Sequence, residues 1–149
     1  MREIIAANNC DVVMMHQLGI PANSKKTIPS NQDPVELVYD WIEKQLNTLE
    51  KLGIKRERII SDVGIGFGKT AEQSLELIQH ISDFNPLGTR LLVGHSRKSF
   101  LKLFTEQPPA NRDIETLAIS LFLAKQNIDY IRVHNVEMCA RAMKVSKTL

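Results

Sequence analysis

The sequence predicts an α/β fold, four strand–helix units in succession on a parallel sheet, and three observations predict it. Short apolar runs alternate with longer segments whose apolar residues recur at three- and four-residue spacing. The helical segments carry start signals, chiefly Asp33-Pro34 and Thr70 with Gln73. Polar residues gather just after the strands, at His16-Gln17, Asp62, Ser96 to Lys98, and Arg132 with His134, whereas the helix-to-strand loops are plainer. Right-handed crossovers between parallel strands bring all these strand ends to one face.

In chain order, Met1 to Asn8 reads as the tail of a helix before a first strand, Asp11 to Met15. A loop rich in Pro, Asn, Ser and Lys follows. Asp33 is placed to cap the next helix, Pro34 suits its first turn and Glu36 completes a capping box. Val38, Trp41, Ile42, Leu46 and Leu49 form its stripe, and Gly53 stands where it stops. Ile59 and Ile60 begin a second strand ending at Asp62, and the Thr70/Gln73 box opens a helix buried through Leu75, Ile78 and Ile81. Leu91 to Val93 is the unbroken apolar run expected of a strand buried on both faces. A helical piece spans Phe100 to Phe104, and a loop with Pro108 and Pro109 leads to Asp113. That residue is expected to cap a helix buried through Leu117, Ile119, Leu121 and Phe122. Tyr130 to Val133 is the fourth strand, and Asn135 caps a last helix to about Val145.

At 149 residues the chain suits one domain with its own core. A net charge of +2 and sparse aromatics argue against nucleic acid as a partner. Cys10 and Cys139 make neither a disulfide framework nor a metal motif, which fits a reducing cytosol. The amino terminus lacks a signal-peptide pattern and no stretch approaches transmembrane length, so a cytoplasmic protein without a membrane partner is expected.

The glycine-rich run Asp62-Val-Gly-Ile-Gly-Phe-Gly-Lys69-Thr70 fits neither of two phosphate motifs. A P-loop would need glycine at Val63, and a dinucleotide fingerprint would need it at Lys69. What remains is a strand-end carboxylate followed by Gly64, Gly66 and Gly68, backbone that passes close beneath a flat ligand. Asp62 can accept two parallel N–H donors from an amidine-like heterocycle, or it can simply bond loop amides. Gly94 lets the next strand turn sharply and present Ser96, Arg97 and Lys98 together. Lys98 can donate to a ring heteroatom or meet a phosphate. Arg132 and His134 alternate across Val133, so both can point one way as an anion clamp. His16 and His95 have no evident partner, His80 reads as solvated, and no metal-ligand spacing or nucleophilic triad appears.

Asp62 to Lys69, Gly94-His-Ser-Arg-Lys-Ser-Phe100, Ile131-Arg-Val-His-Asn135 and Met14-Met15-His16 together resemble dihydropteroate synthase, in order over nearly the whole chain. The resemblance implies a (β/α)8 barrel. The activity it implies condenses 6-hydroxymethyl-7,8-dihydropterin diphosphate with p-aminobenzoate to dihydropteroate and pyrophosphate. Asp62 would pair with the pterin's amino-pyrimidine edge, Lys98 would bond its ring oxygen and nitrogen, and Met15 would pack against it. Arg132 and His134 would hold the diphosphate, with Arg132 also lying along the pterin. Phe67, Gly68, Lys69 and Ser96 would shape the p-aminobenzoate site that sulfonamides also occupy, on the turns that carry Gly66, Gly94 and Arg97. Val63 stands where the family usually has proline, and Asn135 where it usually has aspartate.

A full barrel runs to about 250 residues, and residues 1–149 align only with its second half, strands five to eight. A single partial domain is therefore expected, a fragment feeble or inactive alone. The absent half would hold an Asp and Asn of the pterin pocket, the Asn that helps bind magnesium on the diphosphate, and two mobile loops. A homodimer or a complementing N-terminal half is the expected partner. The alternatives are a pterin-binding methyltransferase domain and a non-catalytic half-barrel.

Overall fold

A computed structural model describes residues 2–21, 23 and 25–149; Met1 of the first expected helix and Ala22 and Ser24 of the following loop lie outside them. After a short helix α1 (Arg2–Ala7) the chain alternates β1 (Val12–Met15), α2 (Pro34–Glu50), β2 (Ile59–Asp62), α3 (Ala71–Gln79), β3 (Arg90–Val93), α4 (Asp113–Leu123), β4 (Tyr130–Ile131) and α5 (Val136–Ser146). The four strands are parallel and lie in the order β1-β2-β3-β4. Sequential order with right-handed crossovers stacks every helix on one face of the sheet; a doubly wound sheet would reverse direction midway.

Register and the two-residue period of a strand sort the side chains. Met15 pairs with Asp62, Asp62 with Leu92 and Leu92 with Tyr130, so these four share a face. The opposite face turns Ile59, Leu91 and Val93 into a core completed by Val38, Ile42 and Leu46 of α2, Leu77 of α3 and Phe84. Helix α2 forms as its caps direct: the Asp33 carboxylate accepts the Val35 and Glu36 N–H groups at 2.7 and 3.1 Å, and Pro34 opens the first turn. Among the described residues the reciprocal capping box is the one at Thr70 and Gln73. Arg58 ties α1 to the sheet by donating to the carbonyls of Ile5, Asn8 and Cys10.

Several local expectations change. Leu92 is only half buried, because β3 is covered on its helix side alone. Asp113 is the first residue of α4 and caps nothing; the cap position is Arg112. That helix buries Thr116, Ser120 and Leu123 and leaves Phe122 exposed, since the side toward β3 must satisfy buried polar groups of the β3 loop. Ile81 lies beyond α3, in a 3-10 stretch from Ile81 to Leu87. Strand β4 ends at Ile131, although the Arg132 N–H still bonds the Val93 carbonyl at 3.0 Å, and Val133 lies outside it.

Phe84 has no accessible surface and belongs to the central core, its ring centre 6.0 Å from that of Tyr39 on α2. Phe84→Ala should lower unfolding free energy by about 3–5 kcal/mol, read from the urea midpoint; a loss below about 1 kcal/mol would place Phe84 outside the core.

Candidate active site

The polar residues named from the sequence meet at the C-terminal ends of the strands, on the face that carries no helices. Asp62 ends β2 with 1% of its surface exposed. One carboxylate oxygen accepts the Gly64 N–H at 2.8 Å, and the other faces an Arg132 Nη at 3.4 Å. Burial pushes its pKa up, opposed by the Gly64 N–H and by the charges of Arg132, Lys98 and Lys69. Gly64 is required there: its φ is +71°, and a Cβ would lie 1.9 Å from the His16 carbonyl oxygen. Met15, half buried, ends β1 beside Asp62 in the register.

Lys98 follows β3 and spans the gap to the β2 loop. Its ammonium donates to the Ile65 carbonyl and lies 4.6 Å from the centre of the Phe67 ring. Burial, and then Arg132, lower its pKa to about 8 against the pull of Asp62. Gly94 leaves room for the Arg132 guanidinium, which a Cβ would approach to 2.6 Å. Buried Ser96 bonds His134 twice, Oγ to Nδ1 at 2.8 Å and Oγ to the backbone N–H at 3.2 Å. Gly94, Ser96, Lys98, Arg132, Val133 and His134 line a cleft of about 270 Å³. It offers two cations, a hydroxyl and an imidazole, and the buried Asp62 carboxylate stands behind it, against Arg132. Such a set suits a ligand with N–H donors at one edge and an anionic group at the far side.

Two expected site residues point elsewhere. Lys69 is buried beneath the glycine turn, and its ammonium contacts the Gly64 and Phe67 carbonyls and His16 Nδ1 at 3.0, 3.1 and 2.8 Å. Three acceptors use its three donors, so it is a staple for the turn. Arg97 has φ +57°, a left-handed conformation that costs a non-glycine residue about 1–2 kcal/mol. Its guanidinium turns from the cleft and forks onto Asp113 at 2.8 and 2.9 Å. Gly66 and Gly68 shape the same turn through backbone bonds, Gly66 N–H to Ser74 Oγ at 3.3 Å and the Gly68 carbonyl from Ile28 N–H at 3.1 Å.

Sequence reading left His16 and His95 without partners, and both have them. His16 meets Lys69 and the edge of Trp41, with ring centres 5.0 Å apart. His95 Nε2 lies 3.0 Å from both the Thr116 carbonyl and Ser120 Oγ. His80 is half exposed, as expected, 3.1 Å from Asp83. The pairing of Thr116, Asp113 and Asn135 with the strand-end loops went unread; the acid at the start of α4 was its one visible trace.

A strand-end site on sequentially ordered βα units defines a barrel-type enzyme site. The chain matches the family described as pterin binding enzyme over residues 1–134 and belongs to that family. The crystal structure of dihydropteroate synthase from Anaplasma phagocytophilum with bound 6-hydroxymethylpterin-monophosphate is 34% identical, with a TM-score of 0.92 over 99% of this chain and 58% of that one. The Xanthomonas albilineans dihydropteroate synthase with 4-aminobenzoic acid is 29% identical, with a TM-score of 0.83 over 93% of this chain and 48% of that one. A folate synthesis bifunctional protein of Chlamydia caviae is 36% identical over 98% of this chain and 33% of its own length. The four units thus form half of a (β/α)8 barrel, and the chain spans about half the length of the solved relatives.

Burial, followed by the Lys69 charge, lowers the His16 pKa to about 4. The unfolded chain then binds a proton near pH 6.5 that the folded one refuses. The stability contributed by neutral His16 is complete above pH 6.5 and lost as pH falls toward 4. Urea midpoints should therefore decline over that window, and His16→Asn, which keeps an acceptor for Lys69, should flatten the decline; an unchanged slope would contradict the assignment.

Proposed function

We propose that the chain is the strand five-to-eight half of a dihydropteroate synthase, a single partial domain spanning residues 1–149. The reaction joins 6-hydroxymethyl-7,8-dihydropterin diphosphate to p-aminobenzoate, giving dihydropteroate and pyrophosphate. The observation that carries this reading is the convergence of Lys98, Arg132, Ser96 and His134 on one cleft, with buried Asp62 against Arg132 at its edge.

Asp62 accepts the paired N–H donors of the pterin edge, which a buried carboxylate does more strongly than a solvated one. Lys98 donates to the pterin ring, and Met15 packs on its face. Arg132 and His134 hold the diphosphate and stabilise charge as the carbon–oxygen bond to the pterin methylene breaks. The amine nitrogen of p-aminobenzoate then captures that carbon and gives up a proton, so no protein nucleophile is needed. Phe67 and Ser96 border the p-aminobenzoate side, while Lys69 and Arg97 act from beneath the loops.

Magnesium belongs to the substrate in this reading. Lys98 and Arg132 have no lone pair to offer it, and among the described residues no three His, Cys, Asp or Glu side chains gather into a group that could hold a metal. This chain's residues do not fit the metal. Among the described residues no helix is long and apolar enough to cross a membrane. Pathway chemistry on small soluble substrates makes the cytoplasm the proposed location. Ile114, Phe122, Val136 and Val145 expose apolar surface on α4 and α5, which supports a homodimer through those helices.

Calorimetry with two ligands tests the division of the cleft. Asp62→Asn should weaken pterin binding about 10- to 100-fold and leave pyrophosphate affinity within about twofold, whereas His134→Ala should do the reverse. Equal effects of both variants on both ligands would refute it.

A further inference from the structure

Asp113 faces the cleft only through other residues, yet it touches both loops that build it. Arg97 donates to its two oxygens, Nε at 2.8 Å and Nη2 at 2.9 Å. Asn135 Nδ2 donates to the second oxygen at 3.4 Å. The amide of Asn135 is oriented for this by its own cap bond, because Oδ1 accepts the Met138 N–H at 3.1 Å and leaves Nδ2 facing α4. Arg97 belongs to the turn between Ser96 and Lys98, and Asn135 directly follows His134.

The rest of the first turn of α4 serves the same loop. Thr116 Oγ1 accepts the Arg97 N–H at 3.1 Å, and buried Arg112 donates Nη1 to the Lys98 carbonyl at 3.0 Å. With Arg97 in the left-handed region, its side chain points to α4 while Ser96 bonds His134 and Lys98 reaches the β2 loop. The fork is what occupies the guanidinium in that conformation.

We propose that Asp113 is a positioning residue: by joining Arg97 to Asn135 it fixes the β3 loop against the β4 loop, and so sets the spacing of Lys98 and Ser96 from Arg132 and His134. This rests on the reading of the cleft as a pterin diphosphate site. It adds a part of the machinery that contacts no substrate.

Three variants of the 149-residue chain test it: Asp113→Asn, Asn135→Asp and Arg97→Gly. Two measurements are made, pyrophosphate affinity by calorimetry and the ligand-free ring-nitrogen NMR resonances of His134. Asn135→Asp keeps an acceptor for the α5 cap but sets two carboxylates against each other. Arg97→Gly relieves the left-handed backbone but removes the fork. Each variant should shift the His134 resonances and weaken pyrophosphate about five- to tenfold. The Arg97→Gly/Asp113→Asn double variant should be no weaker than either single one.

Wild-type resonances and affinity in Asp113→Asn and Asn135→Asp would overturn the proposal, as would wild-type behaviour of Arg97→Gly. If Asp113→Asn loses its helical circular dichroism, Asn135→Asp decides. If the unsubstituted chain binds no pyrophosphate, the reading of the cleft fails. The His134 resonances then decide the clasp alone, shifted if it holds and unmoved if it does not.

Discussion

A carboxylate with almost no accessible surface stands at the end of β2, and much of the surrounding structure answers to it. Taking an ionised Asp62 out of water is unfavourable enough that an uncompensated one would take up a proton. Here one oxygen receives the Gly64 N–H, the other faces Arg132, and Lys98 and Lys69 add positive potential. Gly64 can deliver its N–H because it tolerates both a positive φ and the His16 carbonyl against it. Gly94 leaves the Arg132 guanidinium its place, where a Cβ would come within 2.6 Å and push that side chain aside. Two glycines and three cations from separate strand ends thus serve one buried charge.

The basic residues near the cleft divide by what already occupies their donors. Lys69 and Arg112 donate to backbone carbonyls, and Arg97 spends its fork on Asp113; all three hold loops in place. Lys98 and Arg132 retain donors toward the cleft, and Arg132 exposes over half of its side chain. Neighbours in sequence therefore have opposite duties. Arg97 and Lys98 separate because a single left-handed residue reverses the direction in which the loop presents its side chains.

The helix-free face of the sheet has a second consequence. Val13 and Tyr130 lie on it with 48% and 41% of their surface exposed, beside Met15, Ile60 and Leu92. In a closed barrel such residues pack against those of the opposite strands. The cleft accordingly has one wall in this chain, with Asp62 behind Arg132 already desolvated by the core beneath. That asymmetry, a finished floor and an open side, is what a half-barrel presents.

By itself the sequence determined the order of elements and the identity of the strand-end groups. Apolar periodicity and cap residues are local, so α2, α3 and α5 start where Asp33, Thr70 and Asn135 place them. Asp62, Lys98, Arg132 and His134 were legible because each lies at the end of a strand or in the loop just after it, and parallel strands bring their ends together. Tertiary structure decided which residues face the cleft and which hold it. Lys69 and Arg97 look like ligand-binding cations in one dimension, and nothing local tells a cation aimed at solvent from one aimed at a neighbouring carbonyl or carboxylate. The acceptors that claim them, His16 for Lys69 and Asp113 for Arg97, lie 53 and 16 residues away. Only the folded sheet brings them within reach.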